Sequence, residues 1–194
     1  MARAALRVSW LSAPAAVRLV PETAGTLAVA DLRGGRVRRH VHTGVSAIGD
    51  VAPAGRTVWL SAAGPFVVMR LDARTGRPIG KPVRVGAAAL DIEATADRAW
   101  VDLGDEATLV GVPARGSAPG VRAANGGSVR DRGRVRSVWA TSYRTDTVTR
   151  LDAETGSRIG EPIATGADPK GIAVGMGAVR VANAGDCTLT RIVP

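Results

Sequence analysis

Aromatic residues are scarce in this chain: four Trp, one Tyr and one Phe among 194 residues. A core of domain size must therefore be built mainly from aliphatic side chains. A single cysteine, Cys187, excludes an internal disulfide and carries no information on redox compartment. A lone Cys in a strand-rich chain reads as a small buried hydrophobe rather than a nucleophile. Histidine is limited to His40 and His42, and lysine to Lys81 and Lys170. No uninterrupted apolar run approaches the length of a membrane-spanning helix. There is no GxxxxGK[ST] phosphate loop, no GxSxG nucleophile elbow and no Cys/His set with zinc spacing. No catalytic, cofactor-binding or metal-ligating set is assigned, and no cofactor is expected.

What is abundant is glycine (24), with 11 prolines, both scattered along the chain. That distribution suits many short strands joined by turns. The formal net charge is +9, carried almost wholly by arginine. A basic chain can hold polyanions by counterion release, and nucleic-acid binding would predict arginines clustered on one element. The two densest runs, RGGRVRR (Arg33 to Arg39) and RDRGRVR (Arg130 to Arg136), both fall in turns or strands of a repeat instead. At the N-terminus, Ala13 to Ala16 forms a small-residue stretch in a signal-like start. Arg7 interrupts the apolar region that a cleaved secretory signal requires.

The repeat is the strongest signal. TVWLSAAGPFVVMRLDARTGRPIGKPVRVG, from Thr57, aligns without a gap to SVWATSYRTDTVTRLDAETGSRIGEPIATG, from Ser137. Trp59 matches Trp139, Arg70 matches Arg150, Asp72 matches Asp152, and Gly76 matches Gly156. Trp100 anchors a degenerate copy between them. Arg18 and Arg180 hold the same position in the first and last copies. The anchors 18, 59, 100, 139 and 180 are separated by 41, 41, 39 and 41 residues. A period near forty made only of strand-like segments predicts β-propeller blades.

The chain is therefore expected to be all-β: about five four-stranded blades in one domain, 1–194. The blades fall at approximately 6–43, 47–85, 88–124, 128–164 and 170–194. In the fourth, strands are predicted near Ser128 to Val135, Ser137 to Ser142, Thr147 to Asp152 and Arg158 to Ala164. The first copy opens on an inner strand and the fifth stops after its third strand. This predicts an open arc or part of a longer ring over a closed five-blade ring. Whether Ser117 to Gly127 completes the third blade is open.

Seven residues anchor the repeat. Trp59, Trp100 and Trp139, recurring at one point of the blade, are expected to wedge blade against blade. Asp72 and Asp152 are expected to accept backbone N–H groups in tight turns, with Gly76 and Gly156 supplying positive φ.

GIAVGMGAVRVANAGDCTLTRIVP (Gly171 to Pro194), together with TVTRLDAETG and GADPKGIAVG, resembles the YVTN-type repeat of bacterial β-propellers, related to NHL and streptogramin lyase-like propellers. The resemblance implies a ring of four-stranded blades used for binding or sensing outside the cytoplasm, secreted or periplasmic. Its ligand would be a protein or small molecule at one mouth of the ring. It also implies a rival reading, a metal-dependent lyase or lactonase with His and Glu at that mouth. Only His40 and His42 are available, two apart on an outer strand. Asp50, Glu93 and Asp168 are the acidic residues near ends of inner strands. Asp102, Asp105 and Glu106 fall together in one loop, a solvated turn or a Ca²⁺ site. Polyanion or DNA binding through the basic surface is the third reading, and association through open sheet edges is expected of an arc.

If the positive charge is compositional, the chain elutes from heparin at the same salt as a charge-matched control. Retention to clearly higher salt would mark a built polyanion surface.

Overall fold

The computed structural model describes residues 7–10, 16–20, 25–31, 36–104, 108–116, 119–124, 129–132 and 135–194. They form five antiparallel sheets, with no α-helix among the described residues. The first sheet holds Arg7–Trp10 (β1), Ala16–Val20 (β2), Thr26–Asp31 (β3) and Val37–His42 (β4). The second holds Ile48–Ala54 (β5), Thr57–Ala62 (β6), Val67–Asp72 (β7) and Val83–Arg84 (β8). The third holds Ile92–Ala94 (β9), Arg98–Asp102 (β10), Thr108–Pro113 (β11) and Val121–Ala124 (β12). The fourth holds Val129–Arg132 (β13), Val135–Ser142 (β14), Thr147–Asp152 (β15) and Ile163–Ala164 (β16). The fifth has three strands, Pro169–Gly175 (β17), Ala178–Asn183 (β18) and Thr188–Ile192 (β19).

Within each sheet the strands pair in chain order. The first strands of successive sheets lie together, β1 by β5, β5 by β9, β9 by β13 and β13 by β17. Inner strands thus gather about a common axis while later strands splay outward, which is the architecture of a β-propeller. The predicted strand Thr147 to Asp152 matches β15 residue for residue. The predicted fourth strand, Arg158 to Ala164, does not form as one piece. It is reduced to an isolated bridge between Leu151 and Arg158 and the two-residue β16. Gly160 at φ +73° bends the chain, and Pro162 removes a ladder donor. In the third sheet β12 supplies a fourth strand at Val121–Ala124, while Ser117, Ala118 and residues 125–127 lie outside the described residues.

The core lies between sheets, not within one. Trp59 joins Val68 and Val83 of the second sheet to Ile92, Val101 and Val110 of the third, with Val85 and Ala89 of the link between them. Trp100 and Leu109 pack on Val138, Ala140 and Leu151 of the fourth. Trp139 and Val148 pack on Ile172, Val179 and Val181 of the fifth. Each indole is almost wholly buried, at 1%, 1% and 5% exposure. A twisted sheet leaves a wedge of space beside its neighbour, and a large flat ring fills it with apolar area.

Each Trp also carries a guanidinium over its ring. Arg70, Arg98 and Arg150 lie 5.4, 5.8 and 5.7 Å from the ring centres of Trp59, Trp100 and Trp139. Arg70 and Arg150 pair directly opposite their Trp on the third strand. In the degenerate copy that position is Gly111, and Arg98, two residues before Trp100, takes the place. A Cβ on Gly111 would sit 3.2 Å from the Arg98 stem and 3.4 Å from the Trp100 ring. Glycine therefore makes the room that the relocated arginine needs.

Arg39, Arg70 and Arg98 tie sheets through backbone carbonyls, whereas Arg150 donates to the Ser137 hydroxyl of its own sheet at 2.9 Å. Arg39 donates to Thr75 (3.0 Å) and Arg74 (2.7 Å) in the second sheet. Arg70 donates to the Ala114 carbonyl in the third, and Arg98 to the Glu154 carbonyl in the fourth. The Trp100 indole N–H donates to Ala153 O at 3.1 Å. The buried indole N–H of Trp59 has no partner.

The turns between third and fourth strands are near-identical. Asp72 Oδ1 accepts from the Arg74 and Thr75 backbone N–H groups and the Thr75 hydroxyl, at 3.1, 2.7 and 2.8 Å. Asp152 does the same with Glu154 and Thr155, at 2.9, 2.7 and 3.0 Å. Gly76 and Gly156 close the turns at φ +75° and +73°. A Cβ on Gly76 would meet Val41 of the first sheet at 2.7 Å, so this glycine serves packing as well as conformation. The bonds from Thr75 hold the Asp72 carboxyl below its ordinary range.

Trp100→Ala should destabilise the fold by about 3–5 kcal/mol in chemical denaturation. Trp100→Phe loses the bond to Ala153, whereas Trp59→Phe loses none, so the former should cost about 1 kcal/mol more.

Candidate functional site

A meander sends its first–second and third–fourth connections to one end of every sheet, and its second–third connections and inter-sheet links to the other. Trp100 and Arg98, bonded to the turn that begins at Asp152, face the first end, as do the turns closed by Gly76 and Gly156. The second end is made of the turns 63–66, 143–146 and 184–187 and the links 43–47, 85–90 and 165–168.

Backbone strain concentrates at this second end. Of six described non-glycine residues with positive φ, five lie here: Ala47, Phe66, Asp146, Asp168 and Cys187. The sixth, Met176, lies at the other end. Each left-handed residue costs about 1 kcal/mol or more, which surrounding contacts must hold in place. Phe66, Asp146 and Cys187 occupy equivalent last positions of the four-residue turns. Cys187 is accordingly exposed in a turn, not buried on a strand as its rarity suggested.

A hydrogen-bonded frame at this end spans the fourth and fifth sheets. Asp146 Oδ1 accepts the backbone N–H of Asp168 at 2.8 Å, joining the turn of one sheet to the link of the next. Asp186 Oδ2 accepts the Ala167 N–H at 2.9 Å, and its Oδ1 accepts the Thr188 N–H and hydroxyl at 3.2 and 2.7 Å. These donors, the Thr188 hydroxyl foremost, hold the Asp186 carboxyl below its ordinary range. Buried Asn183 donates to Thr188 and Thr190 at 2.8 and 2.9 Å. A Cβ on Gly166 would lie 2.3–2.6 Å from Asp186, Thr188 and Asn183, so only glycine fits between them.

On this frame sit the groups that face solvent. Lys170 Nζ lies 5.3 Å from the centre of the Tyr143 ring and 2.9 Å from Asp168 Oδ1. Tyr143 is 43% exposed, Phe66 43% and Leu90 40%. The result is a surface of aromatic and aliphatic tips with one ammonium among three carboxylates. It has the chemistry of a contact surface: apolar anchors with polar groups fixed around them. Neither Tyr143, in a turn whose residues differ between copies, nor Lys170, near the start of β17, was singled out by the repeat.

The acidic residues of the inner strands are not brought together. Asp50 is buried on β5, where its Oδ1 accepts the N–H of Val51 at 2.8 Å and its own N–H is bonded to Ser61 Oγ. Glu93 pairs opposite Trp100 on β9. Asp102 is not a loop residue: it ends β10, paired with Leu109 and buried. Its expected companions Asp105 and Glu106 lie outside the described residues. His40 and His42 are both exposed on β4, and His42 Nδ1 is 3.2 Å from the Thr26 hydroxyl. Among the described residues, no three His, Cys, Asp or Glu side chains are grouped to hold a metal ion.

No protein-family model matches the chain, and no curated protein matches it. Solved structures do. The Swd1 β-propeller domain from Myceliophteria thermophila superposes with a TM-score of 0.77 at 17% identity, over 96% of this chain and 65% of that one. A chain of a mitotic checkpoint complex superposes at 0.77 and 12% identity, over 95% and 59%. BamB from Moraxella catarrhalis superposes at 0.66 and 15% identity, over 91% and 54%. The likeness is one of fold, and this chain spans between half and two-thirds of the length of those it matches.

Asp186→Asn should lower stability at neutral pH, because an amide accepts these bonds less well than a carboxylate. The sign follows from a carboxyl whose folded pKa lies below its ordinary value of 3.8. The wild-type advantage is complete above that value and is lost as pH falls through the lower, folded one. Melting curves of wild type and variant should therefore differ by a constant amount near neutrality and converge in acid. Asp72→Asn should behave alike.

Proposed function

We propose that this chain is a non-catalytic β-propeller binding module whose ligand is a protein or peptide, engaged at the loop end of the sheets. One observation carries this reading: Phe66, Leu90 and Tyr143 expose large apolar surfaces at the same end of three successive sheets. Lone exposed apolar residues need no explanation, but aromatic tips gathered on rigid turns are the usual anchors of an interface. The frame around Asp146, Asp168 and Asp186 supports the reading by fixing Tyr143 and Lys170 before any partner arrives, which lowers the entropy cost of binding. The repeat's resemblance to YVTN-type propellers agrees with a binding role, as does the occurrence of a similar fold in a checkpoint complex.

The rival readings have less to stand on. A lyase or lactonase needs acids and imidazoles converging at the mouth. The two histidines are on an outer strand instead, and Asp50, Glu93 and Asp168 are each tied into separate local structure. A polyanion surface would draw on arginines, yet Arg39, Arg70 and Arg98 are spent on carbonyls of the neighbouring sheet.

A photo-crosslinking amino acid placed at Tyr143 or Phe66 should capture a discrete partner in cells that make the protein. The same probe at Arg56, at the opposite end, should capture none. Tyr143→Ala should then weaken that interaction roughly 10-fold or more, as hot-spot truncations of about 2 kcal/mol do. Capture from Arg56 alone would overturn the reading.

A further inference from the structure

The outer edges of the second and fourth sheets share one backbone and carry opposite charge. In both, the chain leaves the third strand through an Asp turn closed by glycine, at Gly76 and Gly156. It bridges back to that strand, Pro78 to Leu71 and Arg158 to Leu151, then bends at Gly80 and Gly160, each at φ +73°. Both edges finish in a two-residue strand, β8 and β16. On this common frame residues 74–84 (RTGRPIGKPVR) hold four cations and no carboxylate, whereas residues 154–164 (ETGSRIGEPIA) hold two carboxylates and one cation. Register sets Arg74, Arg77, Lys81 and Arg84 against Glu154, Ser157, Glu161 and Ala164, and all eight are exposed. Packing therefore does not dictate these residues, and the fold accepts either sign.

The second edge also lacks internal neutralisation. On the fourth, Arg158 lies 3.5 Å from Glu161. Among the described residues, Arg74, Arg77, Lys81 and Arg84 form no ion pair. The neighbouring Asp72 has its Oδ1 engaged by three donors of its own turn. The arginines that tie sheet to sheet are different ones, so these four are not held by seams. Positive charge is thus concentrated on one element, which polyanion binding requires and an even compositional bias does not produce.

We propose that this edge binds the phosphodiester backbone of a duplex nucleic acid, by charge and without reading sequence. Four cations strung along one edge match a ligand whose charge repeats, rather than a single phosphate. Three of the four are arginines, whose planar fork pairs with two phosphate oxygens at once. The segment has no aromatic side chain, so it offers no stacking platform for the bases of a single strand. Its aliphatics, Ile79 and Val83, are half-buried and buried, so it presents nothing to insert into a lipid surface. This reading does not depend on the loop end binding a protein.

Fluorescence anisotropy of a labelled duplex of about 20 base pairs, followed from about 50 to 200 mM salt, tests this. For wild type, log K should fall against log salt with a slope of about −3 to −4, a loss of roughly 100-fold over that range. Exchanging the edge for that of the fourth sheet (Arg74→Glu, Arg77→Ser, Lys81→Glu, Arg84→Ala) should abolish binding with the melting temperature unchanged. Crosslinking from Tyr143 should be unaffected by that exchange. A control of equal net charge, with exposed Arg144, Arg158 and Arg191 each changed to Glu, should keep the wild-type slope.

A wild type that fails to bind at the lowest salt overturns the proposal, as does equal weakening by exchange and control. Binding to poly-glutamate or to phosphatidylserine vesicles as tight as to the duplex overturns it too, since the ligand would then be an acidic peptide or a lipid surface. If the full exchange does not fold, Arg77→Ser with Arg84→Ala should still make the slope shallower by about 2. An unchanged slope in that variant would count against the edge as decisively.

Discussion

The structure depends on how one sheet closes against the next. No single blade can bury its own apolar residues: a four-stranded antiparallel sheet has two faces and no helix to cover either. Among the described residues the large buried side chains cluster across sheet boundaries, so the stability of a blade depends on its seams. The indole is the side chain that makes such a seam work, since it fills the gap left by two twisted sheets. Above Trp59 and Trp100 the arginine then spans to a carbonyl of the next sheet, adding a charge-assisted hydrogen bond across the seam.

The third sheet shows how this constraint tolerates drift. Its sequence has lost the arginine opposite the Trp and has glycine there instead. The guanidinium returns from Arg98, two residues before Trp100 on the same strand, and Gly111 leaves the space for it. What persists in the three Trp-bearing copies is thus the placement of a cation over an indole, rather than a residue at a fixed number. Trp59 carries the mark of the same economy. Its neighbour Arg70 takes the Ala114 carbonyl, and the indole N–H is left alone where that of Trp100 is bonded.

The two ends of the sheets divide the labour. One end carries the Asp turns of the second and fourth sheets, whose chemistry is the same in both, and the arginine ties to the sheet beside. The other end carries turns of the same length but different residues, Phe66, Asp146 and Cys187 sharing a left-handed backbone and nothing else. Local strain is held there by side-chain frames such as that of Asp186, Thr188 and Asn183. Rigid turns with variable tips are what a recognition surface requires.

The repeat alone determined that the chain is all-β, that its sheets number about five, and where the recurring Trp, Asp and Gly positions fall. Each of those is a local or periodic property: alternation sets strands, Asp and Gly set turns, and a forty-residue period sets the blade. The tertiary structure decided what periodicity cannot carry. It let Arg98 lie over Trp100 on the same strand, because Gly111 on the strand beside them leaves the room. It moved Asp102 from a supposed loop into a buried strand end and cut the expected fourth strand at Gly160 and Pro162. It also gathered Tyr143, Lys170 and Asp168 from different sheets, and left Leu189 in solvent while Val148, its counterpart one blade earlier, is fully covered. Those outcomes turn on which surfaces meet, and contact between residues far apart in the chain is written in no single segment of it.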